Sequence, residues 1–113
     1  MPVRLAALTA TPVMLCTAGI VWAAGPSFDC KAAQGQTEQL ICKDDTLARL
    51  DRETTRLYGL ALDARSLPTT QKKMLLAEQR GWIKSRNDCS KSGDAKACAT
   101  TSHLQRIYEL RHG

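Results

Sequence analysis

Aromatic residues are scarce in this 113-residue chain, with one Phe, two Trp and two Tyr. Beyond residue 24 it also lacks long apolar runs, basic runs, internal repeats and low-complexity tracts, and no stretch alternates apolar and polar residues long enough for a sheet. These absences exclude a large aromatic core, a membrane span downstream of the N-terminus, a nucleic-acid-binding arm and a β fold. The cysteines are never spaced as C-x-x-C, so the knuckle of a structural zinc site is missing too.

What is present begins with the first 24 residues. One cation, Arg4, precedes "LAALTATPVMLCTAGIV", which carries no charge, and "VWAAG" places Val21 and Ala23 where small residues direct cleavage. This predicts a signal peptide over 1–24, cut after Ala23 or Ala24, and a single domain over 25–113. Thr9, Thr11, Pro12, Thr17 and Gly19 dilute the apolar run, which argues against a stable membrane anchor. Cys16 follows Val13, Met14 and Leu15, whereas lipoprotein processing wants Leu three places earlier and a small residue directly before the cysteine. The expectation is a periplasmic or secreted protein without lipid at Cys16.

Removal of the signal leaves Cys30, Cys42, Cys89 and Cys98, and an even count in a short exported chain reads as two disulfides. A domain of this size buries only about 60–65% of its unfolded surface, so its core alone is marginal. If a helical hairpin turns near Leu67, Cys42 lies 25 residues before the turn and Cys89 22 after it. That favours Cys42–Cys89 with Cys30–Cys98, the first bridge closing a loop of roughly 50 residues for about 4 kcal/mol. Cys30–Cys89 with Cys42–Cys98 stays open.

The mature chain reads as an all-α bundle of three to four short helices. An irregular lead-in runs to about Gln36, and Thr37 is placed to cap a short helix ending at Cys42. Asp44 or Asp45 caps a second helix reaching about Arg65, with Leu47, Leu50, Thr54, Leu57, Tyr58 and Ala61 on one stripe. "RSLPTT" breaks it, and Thr69 or Thr70 caps a third helix that buries Leu75, Leu76, Trp82 and Ile83. After a surface loop, Asp94 caps a last helix with Leu104, Ile107, Tyr108 and Arg111 on its stripe.

The third helix carries an unusual face. Gln79, Trp82, Arg86 and Cys89 recur every three or four residues, putting an amide, an aromatic, a cation and a sulfur where leucines are ordinarily found. Trp82 is suited to fill a small core, Arg86 to stack on its ring or pair with a carboxylate, and Gln79 to bond backbone near a helix end. Asp51, 16 residues before the turn, is the carboxylate expected opposite Arg86. With Tyr58 these residues make up the expected core and polar network.

"FDCKAAQGQTEQLICKDDTLARLDRETTRLY", then "QRGWIKSRNDC", then Cys98 ahead of "RIYEL", resembles the LprI family of bacterial envelope proteins. The resemblance covers nearly all of residues 25–113 and implies an exported, disulfide-bonded helical domain with lysozyme inhibition as its activity. The family's namesake is a lipoprotein, and Cys16 departs from that pattern.

Catalysis finds little support. Two disulfides leave no thiol nucleophile, His103 reads as a surface histidine, and no Ser, His and acid fall into an interpretable triad. No metal site and no cofactor are expected. The favoured reading is a binding protein that inhibits lysozyme or another peptidoglycan hydrolase by occluding its cleft, with Asp44 and Asp45 as candidate partner-binding carboxylates. The alternative is a cell-envelope interaction, stress or immunity module. Loss of Arg4 leaves 15 Lys and Arg against 11 Asp and Glu, or +4, which gives no long-range steering toward a basic lysozyme.

Overall fold

The computed structural model describes residues 24–113, all helix and loop, and the expected signal segment before Ala24, with Cys16, lies outside the described residues. Helices α1 (Gly35–Lys43), α2 (Asp45–Leu62), α3 (Thr69–Asn87) and α4 (Ala95–His112) follow one another with short connections. Two 3-10 turns, Cys30–Ala32 and Asp88–Lys91, punctuate the lead-in and the α3–α4 corner.

Local chemistry sets the helix ends. Gly35 opens α1 with φ 78°, a left-handed value that glycine adopts without a Cβ clash. The helix therefore starts before Thr37, which is buried inside α1 and donates its hydroxyl to the Asn87 carbonyl at 2.8 Å instead of capping. Asp44 alone separates α1 from α2, and its carboxylate caps α2 by accepting the Leu47 N–H at 3.0 Å. Asp94 caps α4 in the same way through the Ala97 N–H. Pro68, rather than either threonine, occupies the N-cap position of α3.

Packing follows a gradient along the bundle. α2 makes its most extensive contact with α4, while α2 and α3 touch far less. The ion pairs Asp44–Lys96 and Glu53–Arg111 join the start of α2 to the start of α4 and the middle of α2 to the last turn of α4, so these two helices run in the same direction and α3 runs back the other way. Ile41, Leu47, Cys89 and Ala99 form the apolar cluster, with Phe28, Leu40 and Cys98 against it. Ile41 and Leu47 are fully enclosed, which contributes about 1.5–3 kcal/mol for each side chain.

The disulfides overturn the nested expectation and also its open alternative. Cys30 bonds Cys42, twelve residues away, and Cys89 bonds Cys98, nine residues away. A Cys42–Cys89 bridge requires Cys42 to continue the axis of α2. The break at Asp44 instead puts Cys42 on α1, where the 3-10 turn brings Cys30 to a Cα–Cα distance of 5.9 Å. The α3–α4 corner likewise folds Cys98 back to 5.5 Å from Cys89. Each bridge staples one corner, and loops this short contribute about 2.5–3 kcal/mol each on the chain-entropy model.

Two expected stripes also shift. On α3, Leu76 and Ile83 are exposed beside the inward line of Leu75, Gln79, Trp82 and Arg86. On α4, the buried line is Ala99, His103, Arg106 and Ile107, whereas Leu104 and Tyr108 are 52% and 65% exposed. Polar side chains hold those inward positions because they meet the polar face of α3.

Candidate functional site

Above the apolar cluster lies a layer of buried polar groups. Asp51, 2% exposed, stands at its centre. Its Oδ2 accepts the Ser27 N–H at 2.8 Å and the Ser27 hydroxyl, and its Oδ1 accepts from Arg86 Nη1 at 3.1 Å. His103 Nε2 approaches the same Oδ1 at 3.5 Å, which is too long for a well-formed hydrogen bond. Burial pushes the Asp51 carboxyl up, but the facing His103 ring, the two Ser27 donors and the Arg86 charge outweigh it and hold the group below the usual carboxylate range.

Arg86 is satisfied on every nitrogen. Its Nε and Nη2 donate to Asn87 Oδ1 at 3.3 and 3.0 Å, and its guanidinium lies 5.4 Å from the Trp82 ring centre. Burial draws this guanidinium below its ordinary value, and Asp51 and Glu38 partly offset the effect. His103, fully buried rather than on the surface, donates Nδ1–H to the Ala99 carbonyl at 2.7 Å and meets Trp82 edge-on. The indole N–H of Trp82 donates to the Ser102 carbonyl at 3.1 Å.

One turn further along, Gln79 does not bond backbone. Its Oε1 accepts from Arg106 Nε at 2.9 Å, deep between α3 and α4. Arg106 Nη1 donates to Glu109 at 3.1 Å, and its buried Nη2 has no hydrogen-bond partner among the described residues. Tyr58, half-buried on α2, makes no hydrogen bond to this layer among the described residues. Thus Asp51, Trp82 and Arg86 come together, Gln79 pairs separately with Arg106, and Tyr58 stands apart.

His103, Arg106 and Ser27 escaped the sequence reading. The available signal was the amide on the inward face of α3: buried Gln79 needs a polar partner, which Arg106 on α4 supplies, and His103 three residues earlier on the same face meets Trp82 and Asp51.

Beyond Arg106 the helices part and leave an open groove of about 860 Å³. Leu75, Trp82 and Leu110 contribute apolar walls, Met74 and Leu67 the outer edge, and Arg106, Glu78 and Glu109 the charged groups. The bundle therefore has a closed end, holding the apolar cluster and both disulfides, and an open end.

The acidic corner lies toward the closed end. Asp44 is capped into α2 and its Oδ2 pairs with Lys96 at 2.8 Å. Lys96, then the Leu47 N–H, hold its carboxyl below the ordinary value. Asp45, on the first turn of α2, is exposed.

These features define a small, disulfide-stapled, all-helical protein with a polar middle layer, whose four described cysteines are all bonded and hence unavailable as nucleophiles or metal ligands. Among the described residues, no helix is long and apolar enough to cross a membrane. The chain belongs to the LprI family, since the family model described as lysozyme inhibitor LprI matches residues 30–110. No individual curated protein and no solved structure matches it significantly.

Proposed function

We propose that the protein is exported and binds lysozyme or a related peptidoglycan hydrolase, blocking the enzyme's cleft without performing chemistry itself. Family membership across residues 30–110 is the observation that carries this reading. The two corner staples support it, because disulfides suit an oxidising compartment and hold helix ends rigid before binding, which reduces the ordering cost of association. At the acidic corner, the ion pair to Lys96 occupies Asp44, and Asp45 is the carboxylate left exposed.

The test is a titration of lysozyme clearing a cell-wall suspension, using oxidised protein with the reduced form as control. Loss of clearing at a defined molar ratio, by the oxidised form only, is expected. Undiminished clearing with several lysozyme types contradicts inhibition and leaves an envelope interaction module as the better reading.

A further inference from the structure

The groove at the open end combines three properties that bear on what it holds. Its walls are apolar and accessible, with Met74 57% exposed at the edge and Leu75, Trp82 and Leu110 within. Its ionisable lining residues are Arg106, Glu78 and Glu109, a net negative set on a chain that carries +5 overall. Arg106 is 5% exposed, and its Nη2 is buried without an acceptor, an arrangement that costs about 1–3 kcal/mol while it lasts.

Each property selects a feature of the occupant. Apolar walls take an apolar side chain. A guanidinium nitrogen that lacks an acceptor takes a carbonyl oxygen, while a carboxylate there would meet the repulsion of Glu78 and Glu109. Glu109 is already engaged by Arg106, but Glu78 has no ion-pair partner among the described residues and is suited to a cation. An extended protein segment with an apolar residue beside Lys or Arg supplies all three. A basic hydrolase carries such segments on its surface, so local charge complementarity exists here although net charge opposes steering.

We infer that this groove is the docking surface for the hydrolase, receiving a loop that places an apolar side chain against Leu75, Trp82 and Leu110, a basic residue beside Glu78 and a backbone carbonyl on Arg106. The inference rests on the inhibitor reading above and adds the face and the partner chemistry to it. The surface lies at the opposite end of α2 from the Asp44–Asp45 corner.

The experiment uses oxidised, exported protein and lysozyme as the probe. Met74→Arg and Glu78→Lys change exposed side chains and leave the Arg106 hydrogen bonds in place, and Lys31→Glu on the lead-in serves as control. The half-inhibition concentration should rise at least ten-fold for both groove variants, with unchanged helical circular dichroism, and stay within two-fold for the control. In parallel, NMR titration of the wild type should shift the Trp82 indole N–H and the Arg106 Nε–H. Wild-type inhibition with fully active groove variants, or shifts confined to the Asp44–Asp45 corner, would overturn the groove while sparing the inhibitor reading. Absence of any inhibition by the wild type sinks both. A concentration-dependent dimer that Met74→Arg dissolves would assign the groove to a second copy of this chain and likewise overturn the proposal.

Discussion

Asp51 is fixed from three elements at once: Ser27 from the lead-in, Arg86 from α3 and the His103 ring from α4. Removing one partner of such a buried pair leaves an uncompensated charge, so Arg86→Met is expected to lower stability by about 3–5 kcal/mol in urea denaturation. The double variant Asp51→Leu with Arg86→Met should recover much of that loss, because it removes both charges. A double variant no more stable than the single one would show that Ser27 and His103 depend on the carboxylate as heavily as Arg86 does. Acid should act on the same residue. Folded Asp51 sits below the ordinary carboxylate value, and the Arg56 guanidinium, seconded by Arg111, holds Glu53 down to about 2. Their contribution is complete above the ordinary carboxylate pKa of about 4 and fades as pH falls through the lower folded values. Urea midpoints should therefore be flat from pH 7 to 5 on account of these groups and decline below about pH 4. A decline already complete by pH 5 would contradict the assignment. Arg86 facing Asp51 was legible because counting back from the turn near Leu67 puts Asp51 within one turn of the level of Arg86 on the facing helix. His103 was not, because Leu104 and Tyr108 offered a more conventional stripe one residue away.

The elements were easier to read than their pairing. Proline at 68 and the caps at Asp44 and Asp94 act within one turn of chain, and all three mark helix starts here. What the sequence could not express was the direction of α1 after a single-residue break, and the disulfide pairing depended on that direction. Peptide mapping of unreduced protein should join Cys30 to Cys42 and Cys89 to Cys98, and a Cys42–Cys89 peptide would contradict the corner geometry. Replacing Cys89 and Cys98 together with serine is expected to cost about 2.5–3 kcal/mol, since the loop they close is short. Asp94→Ala in the same corner should cost about 1 kcal/mol through the lost Ala97 cap, as read from the shift in urea midpoint. These two effects share a corner, so their sum need not match the combined variant.

Across the whole molecule, stability and openness are separated. The closed end concentrates the apolar cluster and both disulfides, and the polar layer then ties α2, α3 and α4 together where few large apolar residues are available. The open end retains Leu75, Trp82 and Leu110 in a groove that no element covers among the described residues. Helical content, size and the count of bridges were legible from composition and periodicity. The groove was not, because it arises from the weak contact between α2 and α3, a property of tertiary packing rather than of either helix. If this scaffold acts, as proposed, by binding a peptidoglycan hydrolase, the oxidised protein forms a complex with the enzyme. The most direct test is isothermal titration of the oxidised protein into lysozyme. A saturable one-to-one complex that the reduced protein fails to form is expected, and the absence of a saturable complex with several lysozyme types would rule out hydrolase binding as its function.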